Sequence, residues 1–160
     1  MNEKQYQTIS ELLNNLNSRE NHNQHEAWIA KHASLTGDPK KSHLTHNDLD
    51  ILDVLVHGEK TVSEVVKAIQ ITQGGTSRRI NHLEKLGFLE RFHQPTNKKT
   101  VYLKLTSDGK KLGQAHIALH KHLHDDTVNA LSDFSDQELT VVTRFLTELA
   151  DVRKNFGDRY

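Results

Sequence analysis

The chain has 160 residues, 21 basic and 21 acidic side chains and no cysteine, a size that suits one domain with helical extensions rather than a large enzyme. Without cysteine there are no disulfides, thiolate metal sites or cysteine nucleophiles, so oxygen and imidazole are the strong metal ligands that remain. No apolar run approaches the ~20 residues of a membrane span, and the polar opening "MNEKQYQTIS" lacks a signal-peptide core; the expectation is a soluble, cytoplasmic protein with no membrane partner.

Tyr6, Ile9, Leu12, Leu13 and Leu16 recur at helical spacing. The pattern predicts a first helix running on through Glu26, Trp28 and Ile29, until Gly37 and Pro39 in "TGDPKKS" stop it. Thr45 reads as the N-cap of a helix carrying Leu49, Leu52 and Leu55 that ends near Gly58. "TVSE", from Thr61 to Glu64, is a capping box that opens a short helix, "VSEVVKAI". Three residues later, with Thr72 as its N-cap, comes the helix in "TQGGTSRRINHLEKLG", with Ile80, Leu83 and Leu86 on one stripe and Gly87 as its stop. The period then changes from 3.6 to 2: "FLERF" and "TVYLKL" predict a hairpin, turned at "HQPTNKK" by Pro95 and Asn97. Thr106 caps a long helix with Asp108 in its first turn and Leu112, Ala115, Leu119 and Leu123 as its apolar stripe. Ser135 and Glu138 form another capping box, ahead of Leu139, Val142, Phe145, Leu146, Leu149 and Val152.

Gly74 and Gly75 stand in the first turn of the fourth predicted helix, where each costs ~1 kcal/mol relative to alanine. Helix, short turn, helix and hairpin is the order of a winged helix-turn-helix, whose second helix enters the major groove by its N-terminal turn. Thinning that turn to backbone lets its free N–H groups approach phosphates or base edges. Charge agrees with this reading: positions 61 to 105 hold eight Lys or Arg against three Glu, so a +5 segment sits in a −5 frame. The candidate DNA-binding residues are Thr61, Ser63, Thr72, Gln73, Gly74, Gly75, Thr76, Ser77, Arg78, Arg79, Asn97, Lys98 and Lys99.

The stretch from "LTHNDLDILDVLV" to "LKLTSDGKKL", above all "LEKLGFLER" and "LKLTSDGKK", resembles the MarR family of bacterial transcriptional regulators. The resemblance implies a mainly α fold with a small β-hairpin wing and N- and C-terminal dimerisation helices. It divides the chain into 1–44 (N-terminal dimerisation helix), 45–105 (winged helix-turn-helix) and 106–160 (C-terminal dimerisation helices), together one structural domain. It further implies a homodimer whose two heads read a pseudo-palindromic site in double-stranded DNA. The wing departs from the family, which commonly carries Asp-x-Arg where this chain has Asn97-Lys98-Lys99. Lysine keeps a charge but lacks the planar fork, so wing contacts are expected mainly with phosphates.

Twelve histidines are many for this length, and "AHIALHKHLH" places His116 and His120 one helical turn apart, a spacing at which two imidazoles can share a metal. Composition alone supplies on the order of one such pair, so the spacing by itself carries little weight. "NQHEAWIAKHAS" and "AHIALH" add a narrower resemblance, to the zinc-responsive AdcR and ZitR branch of the family. Alignment without gaps implies a regulatory metal on Glu26, Asp50, His116 and His120, with Asp50 where the branch has a histidine. The branch's second metal site falls on His32, Leu49 and Ala115 and is not expected here. Zinc fits this set best, and manganese, iron or nickel are also compatible with oxygen-rich ligation. The expected function is a DNA-binding repressor with the metal as co-repressor; the alternative is a MarR-type regulator that answers to a small organic molecule or acyl group and binds no regulatory metal. "HIALH" lacks the glutamate that serves zinc proteases as general base, and no nucleophile elbow, phosphate loop or dinucleotide fingerprint is present, which argues against an enzyme.

Overall fold

The structure, a computed structural model, describes residues 2–16, 19–33, 44–69 and 71–155. Its elements run α1 (Glu3–Leu16), α2 (Arg19–His32), α3 (His46–Val56), β1 (Lys60–Thr61), α4 (Val62–Ala68), α5 (Gln73–Lys85), β2 (Leu89–Gln94), β3 (Asn97–Leu105), α6 (Ser107–Ala130) and α7 (Asp136–Lys154). Both α1 and α2 fall within the predicted first helix; residues 17–18 between them, and the "TGDPKKS" stop, lie outside the described residues. The described chain forms two compact units, residues 1–120 and 121–160.

Helix starts follow the capping chemistry. Thr61 and Ser135 each exchange hydrogen bonds with a glutamate three residues on, and Thr72 Oγ1 accepts from Gly75 N at 3.2 Å. Thr106 Oγ1 accepts from Gly109 N and donates to the Gly87 carbonyl at 2.7 Å, fastening the start of α6 to the end of α5. The hairpin β2–β3 gains a third, two-residue strand that the periodicity does not reveal, giving an antiparallel sheet of order β1-β3-β2. The core of the first unit joins Ile51, Leu52 and Leu55 of α3, Val65 of α4, Ile80 and Leu83 of α5, and Phe88, Leu89, Leu103 and Leu112, all buried.

Two glycines let α6 approach that core closely. A Cβ at Gly109 would lie 1.8 Å from the Phe88 carbonyl oxygen, and one at Gly113 would lie 2.6 Å from Val56 Cγ2 and 3.3 Å from the Leu52 backbone. Only hydrogen fits there, and this contact sets the distance between α3 and α6. By contrast α1 and α7 bury no residue, and Tyr6, Leu12 and Leu16 on one, Leu139, Val142, Phe145 and Leu146 on the other, are exposed. Among the described residues, no helix is long and apolar enough to cross a membrane.

Candidate functional site

The first turn of α5 is as open as its glycines imply. A Cβ on Gly74 would meet nothing within 4 Å, so no intramolecular packing demands glycine there. Gln73, Gly74 and Arg78 are exposed and Ser77 is half-buried, while Ser63, Lys98 and Lys99 are exposed on α4 and the wing. These side chains, with the unpaired N–H groups of a helix start, form a cationic polar face suited to a phosphate backbone.

Five predicted contact residues also carry structural roles. Thr76 is wholly buried and its hydroxyl donates to the Thr72 carbonyl at 3.1 Å, which withdraws it from any base. The Thr61 and Thr72 hydroxyls are engaged as caps. Asn97 builds the wing tip: its Oδ1 accepts from the Lys99 and Thr100 amides and its Nδ2 donates to Thr100 Oγ1. Arg79 turns inward to Asp48 Oδ2 at 3.3 Å, and Asp48 is completely buried. Residues the sequence reading passed over hold the assembly: Asp48 also accepts from Thr45 N and Oγ1, and Arg91 of β2 joins α5 through Glu84 and, at 2.6 Å, Asn81 Oδ1.

The second cluster lies where α2, α3 and α6 meet. His116 Nε2 and His120 Nε2 stand 3.0 Å apart, and one ligand atom each from His46, His116 and His120 lie within 4.8 Å of one another. Glu26, His46, His116 and His120 all line a cavity of about 20 Å³, large enough for one water-sized occupant and too small for an organic effector. Asp50 is not in this imidazole group; it joins Asp53 and His116 in a separate one, and lies 3.8 Å from His46 Nε2. His46, one helical turn before Asp50 on α3, is the third imidazole of the first group, and Asp50 meets His116 in the second group together with Asp53. The i, i+4 pair His46 and Asp50 was the signal available in the sequence.

The donor set fits a borderline cation such as zinc. Two imidazole nitrogens on one tetrahedral zinc stand roughly 3.3 Å apart, close to the His116–His120 spacing. His120 keeps a solvent-exposed edge, yet loss of water around its ring is the largest cause of a pKa below 6.5, with His116 and His46 adding repulsion and Asp53 and Asp50 opposing it. A neutral imidazole is the ligating form.

Fold and basic face together define a winged helix-turn-helix DNA-binding protein. The MarR family model matches residues 43–99. The transcriptional regulator AdcR of Streptococcus pyogenes serotype M6 is 30% identical over 112 residues, which is 68% of this chain and 74% of that protein. The chain belongs to the MarR family, and is a DNA-binding transcriptional regulator. The crystal structure of adhesin competence repressor (AdcR) from S. pyogenes matches with a TM-score of 0.66 at 23% identity, covering 91% of this chain and 95% of that one. That of Lactococcus lactis ZitR, described as a zinc-responsive MarR family member, matches with a TM-score of 0.62 at 16% identity, covering 91% and 96%. At these identities the likeness concerns the fold.

Proposed function

We propose that this regulator is a zinc-responsive repressor, with the metal as co-repressor held by Glu26, His46, His116 and His120. The observation that carries the reading is the convergence of three imidazoles beside a small cavity that Glu26 also lines. One carboxylate and three neutral imidazoles are a familiar zinc donor set, and the description of L. lactis ZitR as zinc-responsive supports the same metal.

The operator is met by the N-terminal turn of α5 through Gln73, Gly74, Gly75, Ser77 and Arg78, with Ser63 and the wing lysines Lys98 and Lys99 on phosphates. A second copy covers the apolar stripes of α1 and α7, which a single chain leaves in water, and a two-fold dimer then reads a pseudo-palindrome. Zinc, when bound, ties α2 and α6 to the first turn of α3. Two residues beyond His46, Asp48 grips Arg79 of the recognition helix, so the metal acts beside the contact that seats that helix. If the DNA-competent arrangement binds zinc more tightly, zinc and operator strengthen each other by the same factor.

The test is operator affinity measured with zinc and with a chelator. Tighter binding with zinc, on the order of 5- to 150-fold, is expected. Equal affinity in both would refute the zinc response and leave the DNA-binding assignment standing.

A further inference from the structure

His116 is 1% exposed, and both of its ring nitrogens are engaged. Nδ1 lies 2.8 Å from Asp53 Oδ2 and Nε2 lies 3.0 Å from His120 Nε2. An ionised carboxylate only accepts, so the proton of this pair sits on His116 Nδ1. A neutral imidazole protonated there has its lone pair on Nε2, the nitrogen that faces His120.

The pairing is built into the packing. Gly113, one turn before His116, lies against the Leu52 backbone with room for hydrogen alone, and Asp53 is the next residue along α3. Asp53 Oδ1 is buried and has no hydrogen-bond partner among the described residues.

We infer that Asp53 is the positioning residue of the metal centre: it fixes His116 in the Nδ1–H tautomer and thereby aims Nε2 at the ion shared with His46 and His120. The inference rests on the metal reading above. A carboxylate on the far nitrogen of a ligating histidine orients the ring and raises its basicity, and removing one typically costs about 10- to 100-fold in metal affinity. There is a corollary for the metal-free protein. With His116 Nε2 unprotonated, the 3.0 Å contact is a hydrogen bond donated by His120 Nε2–H. For His120 to offer Nε2 to an ion, its proton would have to leave Nε2 and be carried on Nδ1, so His120 would change tautomer while His116 would not.

Two measurements on the full-length chain test this: long-range ¹H–¹⁵N imidazole spectra of the metal-free protein, and zinc affinity by competition with a chromophoric chelator, each for wild type, Asp53→Ala and Asp53→Asn. The wild type should show His116 protonated on Nδ1 alone. Asp53→Ala should lose that preference and bind zinc about 10- to 100-fold more weakly. Asp53→Asn, which keeps an acceptor oxygen, should retain the tautomer and recover part of the affinity. His116 protonated on Nε2 in the wild type, wild-type zinc affinity in Asp53→Ala, or an asparagine variant no better than alanine in both measurements overturns the inference alone. A wild type that binds no zinc instead overturns the metal reading, and this inference with it.

Discussion

Arg79 of the recognition helix reaches 3.3 Å to Asp48 Oδ2, and Asp48 is fully buried at the start of α3. The two adjacent arginines of α5 therefore have different work, although they read alike in sequence. Arg79→Ala strips a buried carboxylate of its charged partner and should cost about 1–3 kcal/mol, discounted for the partly exposed guanidinium. Arg78→Ala should stay within about 0.5 kcal/mol of wild type yet weaken DNA binding and lower the salt slope by about 1. Urea unfolding and salt-dependent anisotropy separate the two; equal stability losses would remove the distinction.

Gly74 faces open space, so Gly74→Ala should stabilise the free protein by about 0.4–1 kcal/mol through helix propensity. The same methyl should weaken operator binding if backbone approach is the reason for the glycine. Gly113→Ala should do the opposite to stability, costing about 1–3 kcal/mol by overpacking against Val56 and Leu52. A Gly74→Ala variant with unchanged DNA affinity would leave that residue without a functional explanation.

Wing contacts are predicted to be electrostatic. Replacing Lys98 and Lys99 together with alanine should leave the melting temperature unchanged and reduce the slope of log affinity against log salt by about 2. Loss of discrimination between operator sequences, at constant salt slope, would show instead that the wing reads bases.

Glu64 and Glu138 close capping boxes, and their carboxyls lie below the ordinary 4.5, Glu64 chiefly through the Thr61 backbone bond and Glu138 chiefly through the Ser135 hydroxyl. A folded pKa below the unfolded one means that the contribution is complete above about 4.5 and disappears as pH falls through the lowered values. The Glu64→Gln, Glu138→Gln double variant should therefore lose stability less steeply than wild type on acidification from about pH 6 to about pH 3. Parallel curves from denaturant unfolding would exclude the boxes as acid-sensitive elements.

Much of the fold was legible because its signals are local. Thr45, Thr61, Thr72, Thr106 and Ser135 each announce a helix start, and the change of period after Gly87 announces the wing. Strand β1 escaped notice because two residues have no period, and its partner Leu103 is 43 positions from Lys60. The candidate site was legible only in part. His116 and His120 stand out by spacing and His46 only as an i, i+4 neighbour of Asp50; that His46 joins the other two depends on how closely α3 and α6 approach, which Gly113 sets and no local pattern reports. Likewise nothing in "TSRRI" tells that one arginine turns toward an aspartate 31 residues earlier.

The most direct measurement is calorimetric titration of zinc into the wild-type chain and into three variants: Asp50→Ala, His46→Ala, and the double variant His116→Ala, His120→Ala. The proposed site predicts one tight zinc per chain, nearly retained in Asp50→Ala, weakened at least 10-fold in His46→Ala and abolished in the double variant. Undiminished zinc binding by the double variant would contradict it.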